Sequence, residues 1–128
     1  MTTSVLFMCP HAAAKSLASA TYFRAAAARL GHDVTVNVAG PEPDNVPMPA
    51  MAAALKQQGF SIGWQPRKVT ESDTAAADIL VSVGCDHAAI PTDRHIREWN
   101  APLPSQDLLG CLQAVHAQAE ALAAELSA

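Results

Sequence analysis

Cys9 and Lys15 bracket five residues, Pro10-His11-Ala12-Ala13-Ala14, and Ser16 follows. A thiol acts as a nucleophile only as its thiolate, and a helix N-terminus or a nearby cation favours that form. Small residues between the thiol and the ammonium let backbone N–H groups turn toward one point, where the positive end of a following helix adds to their field. Those residue types in that order suit an oxyanion held over a sulfur atom, with Pro10, His11, Ala12, Ala13, Ala14 and Lys15 as its cradle and Lys15 as its counter-charge. Ser16 can support the thiolate by hydrogen bonding, or serve as an ordinary helix N-cap. His11 can donate a proton or favour the Cys9 thiolate as a cation; a plain solvent-facing loop histidine is the other reading.

Such a loop needs a strand before it and a helix after it. Val5-Leu6-Phe7-Met8 is a short apolar run suited to a buried strand. From Ser16, the residues Leu17, Ala20, Phe23, Ala27 and Leu30 fall on one helical face, and Gly31 can take the left-handed conformation that ends the helix. Val34 to Val38 alternates as a second strand. The prolines at 41, 43, 47 and 49 make Gly40–Pro49 a loop. Met51–Gln58 is helical in pattern and stops at Gly59. Thr70 and Asp73 have the spacing of a capping box that opens a short helix. Ile79–Val83 reads as a strand covered on both faces. Gly84–Pro104 is mostly loop, with a short strand near Glu98-Trp99. Ser105 can cap a last helix whose stripe runs Leu108, Leu112, Val115, Ala119, Leu122 and Leu126. Strands alternating with helices imply a parallel sheet with helices on both faces, and ligands then sit beyond the carboxyl ends of the strands.

Composition narrows the classes. A chain of 128 residues, half of them hydrophobic, is expected to form one domain over 1–128 with a proper core. A net charge of −4 without a basic run argues against nucleic acid as a partner. No run is long enough to span a membrane, and no secretory leader is visible. Three cysteines without framework spacing fit free thiols in a reducing cytoplasm. His87, His95, Cys85 and Asp86 match no zinc spacing, so neither metal nor cofactor is expected. Cys111 lies one turn from Leu108 and Val115, which places it in the core.

The Cys9–Ser16 segment resembles the Cys-x5-Arg-Ser loop of the low-molecular-weight protein tyrosine phosphatases and the related thioredoxin-coupled arsenate reductases. Lys15 stands at the loop's arginine, and an alanine replaces a common asparagine. Val38-Ala39-Gly40, Leu55 to Ile62, Gln65 to Thr70, Ala77 to Val81 and Trp99 to Pro104 resemble further family segments in the same order. The resemblance implies a three-layer αβα fold with a four-stranded parallel sheet. It also implies Cys9 as nucleophile, Lys15 and Ser16 in its support, and phosphate, sulfate or an arsenate-like oxyanion as ligand, with a phosphoprotein as a substrate class.

Two departures bear on function. Arginine grips two oxygens through a planar fork, whereas lysine is a point charge. Where the family's general-acid aspartate is expected stands Leu103, leaving Asp107, Asp86 or His11 as replacements; helix-dipole complementation is the alternative role for Asp107. The arsenate-reductase branch needs a second thiol, and Cys85 after the third strand is the candidate redox partner of Cys9, or else a small buried residue. Two functions follow. One is a cysteine-dependent enzyme on phosphate monoesters or arsenate with weakened activity. The other is a non-catalytic oxyanion-binding or regulatory relative that keeps the cradle.

Overall fold

The run Val5–Met8 carries large apolar side chains on alternate sides, so its strand has to be covered on both faces. The computed structural model describes residues 2–127 and has that strand at its centre. The elements run β1 (Thr3–Met8), α1 (Lys15–Arg29), β2 (Val34–Ala39), α2 (Pro49–Gln57), α3 (Glu71–Ala76), β3 (Ile79–Ser82), a 3₁₀ turn (His87–Ala89), β4 (Arg97–Glu98) and α4 (Leu108–Glu125). The sheet order is β2-β1-β3-β4 and every pairing is parallel. It is an α/β fold with a four-stranded parallel sheet, as expected.

Alternation divides the core. Val5 and Phe7 point to the side occupied by α1, α2 and α4, where Leu17, Phe23, Met51, Leu55, Val115 and Leu122 are buried. Leu6 and Met8 point to the other side, against Val69, Ala77, Leu80 and Ile90 around α3. The Phe7 ring meets Phe23 at 5.5 Å and Trp99 at 5.4 Å between centroids. Such pairs contribute about 0.5–1.5 kcal/mol beyond area burial. Trp99 thereby ties the segment after β4 to the central strand.

Register positions the site. Met8 pairs with Ala39 on one side and with Ser82 on the other, so three strands end at one level. The loops that begin at Cys9, Gly40 and Val83 therefore emerge side by side. The chain also switches sides of β1 between β2 and β3, which opens a crevice at the carboxyl end of β1.

Several boundaries differ from expectation for identifiable reasons. Pro49 is the first residue of α2 rather than the end of a loop; its missing N–H costs nothing at that position. The cap of α4 is Asp107, not Ser105: Asp107 accepts the Gly110 N–H at 2.9 Å. Helix α1 starts at Lys15 with Ala14 as its N-cap, so Ser16 is no cap. Leu30 is 44% exposed because α1 has ended before it. There the His32 N–H reaches the Ala27 carbonyl and the Gly31 N–H the Ala28 carbonyl, with Gly31 at φ +78°. The Thr70–Asp73 capping box forms with both of its bonds.

Candidate functional site

The Cys9–Ser16 loop is held from outside. Its Pro10, His11 and Ala13 carbonyls accept N–H groups of Glu42, Asp44 and Met48 at 3.0, 2.9 and 2.8 Å. With those carbonyls turned outward, the loop's amides face the other way. Among the described residues, the N–H groups of His11, Ala13, Ala14, Lys15 and Ser16 meet no protein acceptor. The N-terminus of α1 also lacks a side-chain cap. An isolated helix end would be left poorly satisfied by this arrangement, whereas an anion-binding one requires it.

Two backbone features make the turn possible. Ala12 is buried in the left-handed region at φ +53°, where a residue other than glycine is uncommon. Gly40, at the end of β2, lies against the loop. A Cβ there would sit 2.3 Å from the Cys9 carbonyl oxygen and 3.1 Å from the Ala12 nitrogen. Only a residue without a side chain permits that approach.

Cys9 Sγ lies 3.0 Å from the Ser16 hydroxyl oxygen in a buried contact. The side chain of Lys15 crosses to the β3 loop: a Cβ on Gly84 would lie 2.4 Å from the Lys15 ammonium nitrogen. Gly84 is at φ +89°, a conformation glycine adopts freely. A cavity of about 290 Å³ opens above the loop. Cys9, Pro10, His11, Ala13, Ala14 and Lys15 line it together with Asp44, Met48, Leu103, Pro104 and Ser105. His11 Nδ1 donates to the Glu42 carbonyl at 2.8 Å, and Asp44 stands 3.7 Å from the same nitrogen.

The structure thus gathers most of the residues singled out in the sequence at one place, but not all. Ala12 is buried beneath the loop, against Gly40, rather than in the cavity. Asp107 caps α4 through the Gly110 N–H and is not among the residues that line the cavity. Asp86 caps the 3₁₀ turn through the Ala88 N–H. Cys85 follows β3 and is half-buried, outside the cavity lining. Burial pushes its thiol up to about 11, the Ser82 hydroxyl pulls it down, and the nearby Cys9 and Glu98 raise it further. Cys111 is fully buried on α4, and that burial raises its pKa as well.

Spacing gave no hint of Asp44 and Met48; both enter from the proline-rich segment. Nor did it show that Gly40 and Gly84 act by leaving room. His87 Nε2 is 2.7 Å from Glu98, whose other oxygen takes the Gly84 N–H at 2.8 Å. Burial works to raise the Glu98 pKa, but bonds from His87, Ser82 and the Gly84 N–H hold it below the usual range. Among the described residues no group of three His, Cys, Asp or Glu is placed to hold a metal ion, and no helix is long and apolar enough to cross a membrane.

A cysteine at the end of the first parallel strand, with a turn of inward amides and the N-terminus of a long helix, is an arrangement that can hold an oxyanion over a thiol. The profile of the low molecular weight phosphotyrosine protein phosphatases matches residues 4–99, and the chain belongs to that family. No curated protein sequence matches it. Among solved structures it is similar to YfkJ from Bacillus subtilis, at 20% identity and TM-score 0.88, over 99% of this chain and 96% of that one. It is similar to the YwlE arginine phosphatase of the same organism, in a variant with a phosphorylated active-site serine, at 18% identity and TM-score 0.84, over 98% and 96%. It is also similar to a thioredoxin-dependent arsenate reductase of Corynebacterium glutamicum, at 23% identity and TM-score 0.73. That match covers 98% of this chain but spans only 60% of the reductase chain.

Proposed function

We propose that the protein binds phosphate-like oxyanions in the Cys9–Ser16 loop and hydrolyses phosphate monoesters through Cys9, at a rate below that of a fully equipped phosphatase. The observation that carries this reading is the set of loop amides without protein acceptors above a buried thiol bonded to Ser16. Cys9 is the nucleophile. Ser16 donates to the thiolate and stabilises it. The amides of His11, Ala13, Ala14, Lys15 and Ser16 bind the phosphoryl oxygens as their charge develops, and Lys15 compensates that charge.

Two features set the rate. Lysine offers a single point of charge where a planar fork would hold two oxygens. The cavity wall carries Leu103, 50% exposed, where a proton donor would serve the leaving oxygen. A positioned general acid contributes about 10²–10⁴ in rate. A phosphoprotein is the fitting macromolecular substrate, since the cavity lies open at the carboxyl edge of the sheet.

Arsenate reduction is the second reading, favoured by one observation: Cys85 is close enough to Cys9 for a Cys9 thiolate to push the Cys85 thiol up. Reduction would end in a Cys9–Cys85 disulfide opened by an external thiol. The high pKa of Cys85 works against its attack.

Phosphate titration by calorimetry, with p-nitrophenyl phosphate turnover in wild type and Cys9→Ser, tests the proposal. Phosphate binding and slow turnover lost in Cys9→Ser are expected. Binding without turnover would make the protein a non-catalytic oxyanion-binding relative. Failure to bind phosphate, or turnover that survives Cys9→Ser, would refute the assignment of the loop.

A further inference from the structure

The walls of the cavity decide which phosphoryl compounds this thiol can cleave. We propose that the site favours phosphoryl groups on leaving groups that depart as stable anions, acyl phosphates foremost, over those on alcohols or unactivated phenols. The inference rests on the phosphatase reading of the loop and concerns its substrate class.

The argument is one of protons. When a thiolate attacks phosphorus, the electrons of the breaking P–O bond go to the leaving oxygen. If that oxygen is strongly basic, it must be protonated as it leaves. Of the residues that line the cavity beside the loop, Met48, Leu103, Pro104 and Ser105 are not acids, and the one carboxylate, Asp44, stands 3.7 Å from His11 Nδ1. Asp107 is bonded to the Gly110 N–H. His11 gives its Nδ1 proton to the Glu42 carbonyl, so that proton is not available to a leaving group. Lys15 and the loop amides serve the phosphoryl oxygens.

An acyl phosphate removes the need for a donor. Carboxylic acids ionise at about pH 4, against about 10 for a phenol, so the carboxylate leaves without a proton. In the first step the Cys9 sulfur forms a bond to phosphorus, the P–O bond to the acyl oxygen breaks, and the carboxylate carries away its electron pair. In the second, water attacks phosphorus, the S–P bond breaks and the thiolate is regained, with phosphate and one proton released. No oxidant or further reactant is required. The mouth fits such a substrate, because Met48, Leu103 and Pro104 give an acyl body apolar contacts.

The test is a leaving-group series at one fixed pH. Acetyl phosphate, p-nitrophenyl phosphate and phenyl phosphate are compared by kcat/KM, with Cys9→Ser subtracting spontaneous hydrolysis and intact mass reporting phosphoryl-Cys9. Acetyl phosphate should exceed phenyl phosphate by at least ~100-fold, the lower end of what a positioned acid supplies, with p-nitrophenyl phosphate between them. Phenyl phosphate within ~10-fold of acetyl phosphate would overturn the proposal, since an undetected donor would then be at work. Failure of the underlying reading looks different: no substrate leaves a phosphoryl group on Cys9, and Cys9→Ser equals wild type for all three, which overturns both.

Discussion

Adding one methyl group at Gly40 should damage the site without changing any residue that meets the ligand. In Gly40→Ala the new Cβ would lie 2.3 Å from the Cys9 carbonyl oxygen, 3.1 Å from the Ala12 nitrogen and 3.2 Å from the Pro10 carbonyl oxygen. All three neighbours are backbone, so no side chain can swing aside. Relief requires β2 or the Cys9 loop to move by about 1 Å, and overpacking of this kind typically costs about 1–3 kcal/mol. For a domain of this size that is a fall in Tm of roughly 4–12 °C. A loop displaced by about 1 Å should also lose ~10²-fold in any reaction it positions. Thermal unfolding and phosphate titration measure the two effects separately. Gly59→Ala is the control: its Cβ would meet nothing within 4 Å, although its φ of +91° brings backbone strain of its own. If Gly40→Ala unfolds within about 1 °C of wild type and binds phosphate equally well, the idea that the end of β2 moulds the turn is wrong.

Lys15→Arg should tighten phosphate binding by about tenfold, because a fork replaces a point charge; unchanged affinity would mean that Lys15 does not face the anion. Arg67 holds Asp73 through two bonds of 2.8 Å, and this pair, with Thr70, keeps the Asp73 pKa below its ordinary value. A lowered carboxylate pKa stabilises the fold above about pH 4, and the contribution is lost as pH falls through the folded value. Arg67→Ala should therefore cost about 0.5–1 kcal/mol at neutral pH, an amount suited to a part-exposed pair, with the deficit vanishing in acid; a deficit that persists at low pH would rule out this linkage. Cys85, raised to about 11, should react slowly with iodoacetamide at neutral pH and speed up well into the alkaline range. Labelling at neutral pH as fast as an exposed thiol would contradict its burial and would strengthen the arsenate reading.

The strand–loop–helix unit was readable because each part has a local cause. Val5–Met8 is apolar on both sides, the loop residues are small, and Gly31 supplies the left-handed stop. The parallel sheet followed from strands alternating with helices, its four-stranded form from the family resemblance, and Cys111 in the core from helical spacing. What could not be read depends on distance in space. Ser105 and Asp107 are both competent caps, and only the path of the chain selects Asp107. A proline such as Pro49 is read as a helix breaker until its position at the helix start is known. Ser19 and Thr21 look polar, yet they are buried because their hydroxyls reach the Lys15 and Leu17 carbonyls at 2.7 Å. Gly40 and Gly84 read as turn residues, whereas the Cys9 carbonyl and the Lys15 ammonium occupy the space where their side chains would be.

The three bonds from Glu42, Asp44 and Met48 to the Cys9 loop have a consequence for protein engineering. The turn is not a portable peptide: grafted alone onto another βαβ scaffold, its carbonyls would find water, and nothing would compel its amides inward. A transplant that works should carry residues 40–49 as well. That segment has prolines at 41, 43, 47 and 49, which restrict the unfolded chain and lessen the entropy lost when the brace sets.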